Sequence, residues 1–246
     1  MDHSLSPAPR TGALVQARLG STRLPGKVLL PLPLEGNLTV LDQVLARVGR
    51  VPQLSTVVVA TSSAAADDAL AATAEARGAA VFRGSEQDVL GRFYHAATAF
   101  GLDVVVRLTA DNPALDPHYL TQALAHHLRS GADYTLTTGL PLGTNLEVIS
   151  YAALAAAHTQ AQRPEEREHV TPYLRRHPNA FRLETLAFEP LLPDLRLTLD
   201  YASDYALLHL LYTSLPAGFG LREVQLLLAQ HPWLAAINGS NQQVSP

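Results

Sequence analysis

Three cations share one short loop. Residues 13–27 read Ala-Leu-Val-Gln-Ala-Arg-Leu-Gly-Ser-Thr-Arg-Leu-Pro-Gly-Lys, an apolar run followed by Arg18, Arg23 and Lys27 among the breakers Gly20, Pro25 and Gly26. Glycine lets the backbone approach a bulky ligand, and Arg and Lys give charge-assisted hydrogen bonds to phosphate oxygens. These residue types allow a polyphosphate site where a first strand ends. The Walker A spacing is not met: five residues separate Gly20 from Gly26, and Val28 follows Lys27 where Ser or Thr is required. A surface loop with three solvated cations is the alternative reading of the same residues.

Two carboxylates also follow apolar runs. Asp111 comes after Val104–Leu108 and Asp200 after Leu195–Leu199. A carboxylate at the carboxyl end of a strand faces the crevice, where Mg²⁺ is held by one or two carboxylates together with substrate phosphates. Either aspartate could instead be a helix N-cap, and Asp204, one helical turn later, competes with Asp200 as a ligand. Asp116, before Pro117, is the better cap. Asp67 and Asp68 read as surface charges complementing a helix dipole. The ten histidines show no His-Glu-x-x-His spacing, so a zinc site is not expected. No Gly-x-Ser-x-Gly elbow supplies a serine nucleophile. Arg163, Arg167, His169, Arg175, Arg176 and His177 form a cationic cluster, a solvated helix face unless it fronts the crevice.

The elements that must position these residues alternate. Strands are predicted at 13–17, 56–60, 79–82 and 104–108, with helices at 39–50, 64–77 and 86–100 between them. Such alternation builds a mostly parallel sheet flanked by helices, with chemistry in the loops at the strand carboxyl ends. Further strands are predicted at 132–137, 145–150, 181–188 and 195–199, and helices at 151–162, 165–176, 203–213 and 221–230. Pro172 inside the second of these helices marks an alternative start.

Hydrophobic residues make up 47% of the 246 and charged residues 16%, enough apolar material for one sizeable core. The net charge of −4 argues against nonspecific nucleic-acid binding, so an anionic ligand must be met by a local cationic pocket. Cysteine is absent, which removes disulfides and thiolate-bound zinc. Residues 1–10 have no apolar signal-type core and no long apolar run spans a membrane, so a cytoplasmic location is expected. Residues 1–10 and 238–246 read as tails around a single domain at 11–237.

Taken together, several motifs resemble a known family. The run Val15–Lys27, Phe82-Arg-Gly-Ser-Glu-Gln-Asp-Val-Leu-Gly-Arg92, Val106-Arg-Leu-Thr-Ala-Asp-Asn-Pro113 and Glu166–Pro178 resemble, in order, the cytidylyltransferases that activate acidic sugars such as sialic acid and KDO. Their spore-coat polysaccharide biosynthesis protein F branch is the nearest match, over residues 13 to 210. The resemblance implies an α/β, GT-A-like nucleotide-diphospho-sugar transferase fold with a dimerisation arm at about 140–180, hence a homodimer. It implies that Arg18, Gly20, Ser21, Arg23 and Lys27 bind the CTP triphosphate and that Arg83, Gly84 and Ser85 lie beside cytosine. Asp111 and Asp200 would hold Mg²⁺, and Glu147, Arg167 and His169 are offered to the sugar. Arg18, Lys27 and Asp111 would carry catalysis of CMP transfer to a sugar hydroxyl. Three departures from the branch pattern are Ala110-Asp111-Asn112, Asn145 before Leu146-Glu147, and Asp200-Tyr-Ala-Ser-Asp204. A glycosyltransferase using a finished sugar nucleotide, or a non-catalytic nucleotide-binding domain, are the rival readings.

Overall fold

A computed structural model describes residues 8–241. Seven strands form one sheet in the order β3-β2-β1-β4-β6-β5-β7. These are β1 (Thr11–Gln16), β2 (Thr56–Ser62), β3 (Ala80–Gly84), β4 (Val104–Thr109), β5 (Tyr134–Thr138), β6 (Glu147–Ser150) and β7 (Leu183–Ala187). β6 runs antiparallel to β4 and β5; every other pairing is parallel. The central strands are apolar on both faces because helices cover both. Along β1, Ala13 and Val15 face one layer while Leu14 faces the other, and all three are fully buried.

The first layer is built by α1 (Val40–Val48), α2 (Asp68–Ala76) and α4 (Pro117–Ser130), whose Leu41, Val44, Leu70, Ala74, Leu120 and Leu124 pack on the sheet. The second is α3 (Val89–Ala99), α5 (Tyr151–Gln160), α6 (Pro164–His169) and α7 (Pro172–Arg176). A third cluster lies under α8 (Ala202–Ser214) and α9 (Leu221–Gln230), around Leu197, Leu199, Leu207, Leu211 and Val224. Caps explain the boundaries. Thr39 and Asp42 form a capping box at α1, and Asp116 Oδ1 accepts from His118 N at the start of α4, as its place before Pro117 predicts.

Three differences from the sequence reading matter. The predicted helix at 165–176 is two, broken at Val170 (φ 70°) and Thr171, because Pro172 cannot continue the first. The predicted strand at 195–199 is an extended segment with one bridge, Leu142–Arg196. Its amides and carbonyls pair with loops, Leu197 N on Leu142 O (2.8 Å) and Leu199 N on Asp111 O (2.8 Å), so it lies beside the site rather than in the sheet. The expected C-terminal tail starts late: Asn238 is buried and donates to Arg196 O and Asp204 Oδ1, both at 2.9 Å. The rest of the predicted tails, residues 1–7 and 242–246, lie outside the described residues.

Residues 140–180, the predicted arm, supply β6 to the sheet and α5, α6 and α7 to the second layer. Strand order reverses between β1 and β4, the place where open α/β sheets leave a crevice at the strand ends.

Candidate active site

The loop after β1 sits in that crevice. Its entry is fixed by Asp67: Oδ1 accepts from Leu19 N at 2.8 Å while Oδ2 takes the Ser62 hydroxyl. Asp67 is 3% exposed, so the surface charge read from the sequence is a buried loop anchor. Beyond it, Gly26 adopts φ 66°, the left-handed region that favours glycine, and turns Lys27 inward. The amides of Gly20, Thr22 and Arg23 have no protein partner among the described residues. Unpaired amides and cations together suit an anion.

Lys27 is not a solvated cation. It is 9% exposed and spends its three donors on Asp111 Oδ2 (2.7 Å), Asp200 Oδ1 (2.9 Å) and Leu199 O (2.7 Å). Arg23 reaches Asp200 Oδ1 at 2.9 Å and lies over the Tyr201 ring, and Arg196 Nη2 reaches Asp200 Oδ2 at 2.5 Å. Burial alone would raise the Asp200 carboxyl, but Lys27, Arg23 and Arg196 hold it below the ordinary aspartate range. Asp200 is therefore no N-cap. Tyr201 is the N-cap of α8, and Asp204 in its first turn, fully buried, has Oδ2 accepting from the amides of Asp200 and Tyr201, both at 2.9 Å. Its Oδ1 takes Arg196, Asn238 and Asn241, so no lone pair is left for a cation and Asp204 is structural.

Arg18, Gly20, Ser21, Arg23, Lys27, Asp111 and Asp200 line one cavity of about 260 Å³, closed below by Gln16, Thr109 and Ala110. The residues predicted from the loop and from the two carboxylates thus meet. They also fit a hard divalent cation. Asp111 Oδ1 has no protein partner among the described residues and its side chain is 26% exposed to the cavity. Asp200 could join only by exchanging a cation it now holds. No group of three His, Cys, Asp or Glu residues among those described could hold a metal ion.

A larger cavity, about 770 Å³, adjoins the first through Gln16 and Arg18 and is bounded by residues 86–89, Arg92 and the α6 residues Arg167 and His169. Arg167 is fixed there by Asp88 and by His158 O (2.7 Å). Burial holds the His169 imidazole below its ordinary range. Arg92 is 2% exposed; its Nη1 donates to Ser85 O at 2.8 Å, its Nε has no partner, and burial pushes its guanidinium down to about 10.

The Arg83–Ser85 segment divides. Arg83 turns from the cavity to Ser62 O (3.0 Å), Ala64 O (2.9 Å) and Asp68 (2.6 Å), so its guanidinium ties β3 to the start of α2. Gly84 seats Arg92: a Cβ there would meet Arg92 Cγ at 3.1 Å. Ser85 supplies the carbonyl that Arg92 holds.

Glu147 lines a third, smaller cavity with Arg107, Asn112 and Asn145. Burial opposes its ionisation, yet Arg107, Tyr134 (2.5 Å) and Thr171 (2.7 Å) keep it below the ordinary glutamate range.

Sequence reasoning missed Asp67, Arg92 and Arg196. Only Arg196 left a local signal, its i,i+4 spacing to Asp200.

Comparison with known proteins gives a consistent result. A family model described as cytidylyltransferase matches residues 13–210. The spore coat polysaccharide biosynthesis protein SpsF of Bacillus subtilis is 40% identical over 206 residues, 81% of this chain and 85% of its own. An 8-amino-3,8-dideoxy-manno-octulosonate cytidylyltransferase of Shewanella woodyi is 31% identical over 130 residues, about half of each chain (51% and 50%). The structure of a cytidylyltransferase from Leptospira borgpetersenii superposes with a TM-score of 0.88 at 28% identity, over 97% of this chain and all (100%) of that one.

Proposed function

This chain belongs to the cytidylyltransferase family, and we propose that it transfers CMP from CTP to an acidic sugar, with release of pyrophosphate, for a surface polysaccharide. The observation that carries the reading is the meeting of Lys27, Asp111 and Asp200 beside a loop with unpaired amides. The names of the Bacillus and Shewanella relatives support the sugar and the pathway class.

In this reading the triphosphate lies in the 260 Å³ cavity, on the amides of Gly20, Thr22 and Arg23 and the side chains of Arg18, Ser21, Arg23 and Lys27. The nucleoside occupies the adjoining 770 Å³ cavity, and the acceptor enters past Arg167 and His169; Glu147, expected to join them, lines the separate third cavity with its oxygens held by Arg107, Tyr134 and Thr171. A sugar hydroxyl attacks the α-phosphorus; its O–P bond forms as the bond to the bridging oxygen breaks, the hydroxyl proton passes to solvent, and pyrophosphate leaves with the electron pair of the broken bond. No protein nucleophile is required. Arg18, at the junction of the two cavities, neutralises charge at the α-phosphate, and Lys27 serves the departing pyrophosphate. Asp111 and Asp200 would hold Mg²⁺, which when bound neutralises phosphate charge and orients the oxygens.

The substrate CTP supports a cytoplasmic site of action. Among the described residues no helix is long and apolar enough to cross a membrane. A two-fold homodimer is proposed through the 140–180 segment, where Arg163, Arg175, Arg176 and His177 are exposed. Light scattering at micromolar concentration tests it, and a monomer overturns it.

The decisive assay is pyrophosphate release from CTP with Mg²⁺ across a panel of sugar acids, KDO and sialic acid included. Acceptor-dependent release is expected. Release of CMP from a finished CMP-sugar donor, with no pyrophosphate released from CTP, would overturn the reading.

A further inference from the structure

A buried cation without a counter-ion needs a reason, because an unpaired charge away from water is costly. Arg92 is 2% exposed and no carboxylate lies within ion-pair distance of it among the described residues. Glycine at 84 makes room for its stem. Nη1 is committed to Ser85 O, which fixes the plane of the guanidinium; Nε is buried without a partner, Nη2 has none among the described residues, and Arg92 lines the 770 Å³ cavity. A guanidinium pinned at one nitrogen offers a fixed donor at another.

The cavity says what such a donor would meet. It joins the triphosphate cavity through Gln16 and Arg18, so whatever the triphosphate carries extends into it. Val89 gives an apolar surface for a ring, and Glu86 and Gln87 carry acceptors at the rim. Cytosine has two adjacent ring acceptors, N3 and O2, next to a donating 4-amino group. Uracil has N–H at position 3 and a carbonyl at position 4.

We propose that Arg92 is the base-reading residue, its unpartnered Nη2 donating to N3 of cytosine and so selecting cytidine over uridine nucleotides, while Glu86 or Gln87 accepts from the 4-amino group. This rests on the reading of the chain as a CTP enzyme. It transfers base selection from Arg83, which the fold commits elsewhere, to a residue on α3.

Calorimetric titration with Mg²⁺ and three probes, CTP, UTP and inorganic tripolyphosphate, tests it. Wild-type protein should prefer CTP over UTP by about tenfold or more, the scale of one charge-assisted hydrogen bond. Arg92→Lys and Arg92→Met should bring the two nucleotides within about threefold of each other, with tripolyphosphate affinity unchanged, because the loop is untouched. A variant that keeps the CTP preference overturns the assignment. Should both variants fail to fold, 3-deazacytidine triphosphate on wild-type protein decides: it keeps O2 and the amino group but has C–H in place of N3. Binding weakened about tenfold supports the assignment, and binding equal to CTP overturns it. Tripolyphosphate binding without any CTP preference in wild-type protein would instead overturn the CTP reading beneath it.

Discussion

Asp111 and Asp200, on loops that the chain brings together from distant positions, accept hydrogen bonds from the same Lys27 ammonium, at 2.7 and 2.9 Å. An ammonium has three donors, and the third goes to Leu199 O, so Lys27 is saturated by protein. It fastens the loop after β4 to the extended 195–200 segment and holds two carboxylates together that would otherwise repel. Any triphosphate bound with a divalent cation must compete for these groups. The same contacts therefore carry fold stability and site assembly.

Removing Lys27 tests the first of these. Lys27→Met should cost about 3 kcal/mol, the scale for breaking a buried ion pair from one side, reduced somewhat because Asp111 is partly solvated. Urea midpoints check it. A change near zero would mean that the loop is held without the ammonium, as a solvated lysine would imply.

The two carboxylates should respond unequally to amide substitution. Asp111→Asn keeps the shape and loses one partly exposed ion pair, so stability changes by less than about 1 kcal/mol. The Mg²⁺-dependent part of CTP stabilisation should vanish and turnover fall on the order of a thousandfold. Asp200→Asn removes a charge that Lys27, Arg23 and Arg196 all face, so it should lower the melting temperature as well. Equal melting temperatures for both variants would show that the Asp200 cluster is not a structural hub.

How much of this was legible follows from distance along the chain. The strands from 56 to 109 and the capping of α1 and α4 are local, written in apolar runs, in Thr39 with Asp42, and in Asp116 before Pro117. The sheet, its helical layers and the convergence of the β1 loop with Asp111 were readable for that reason. Leu195–Leu199 has the composition of a strand, yet the edge it would need is occupied by β6 on one side of β4 and β1 on the other, and the segment pairs with loops instead. The burial of Lys27 depends on partners 84 and 173 positions away. Likewise Asp67 meets Leu19 only in the folded chain. Arg83 and Arg92 both fit a cationic base contact by type; only the fold shows that one is committed to carbonyls and the other is not.

The C-terminal segment should stabilise the site from outside it. Asn238 donates to Asp204 Oδ1, which also takes Arg196 Nε, and Arg196 in turn holds Asp200. Asn238→Ala leaves Arg196 O and Asp204 each short of one buried donor, a cost of about 2 kcal/mol. If Asn238 only fills space, Asn238→Ala and Asn238→Leu will differ by the volume lost; if its donors matter, both will be destabilised. Urea midpoints of the pair separate the cases.

Acid should weaken the fold in two separate windows. The upper one belongs to His127 on α4, buried against β5 with Nδ1 2.9 Å from Thr135 Oγ1. Burial pushes its imidazole down to about 4 from an ordinary value of 6.5, against a smaller opposing pull from Asp133. Between those values the unfolded chain takes up a proton that the folded chain refuses, so stability falls as the pH falls, by at most about 1.4 kcal/mol per pH unit. Above the upper value His127 contributes no pH dependence, and below about 4 both states are protonated and its effect levels off. Asp200 and Glu147 act lower: their carboxyls are depressed when folded, so their stabilisation is complete above the ordinary carboxylate range and is lost only as the pH drops through it and below. Urea midpoints between pH 7 and 4.5 read this window, to which the lowered imidazoles of His158 and His169 also contribute. His127→Gln, which keeps a side-chain amide for Thr135, should flatten the wild-type slope across that interval. Parallel slopes in the two proteins would assign the dependence to other groups.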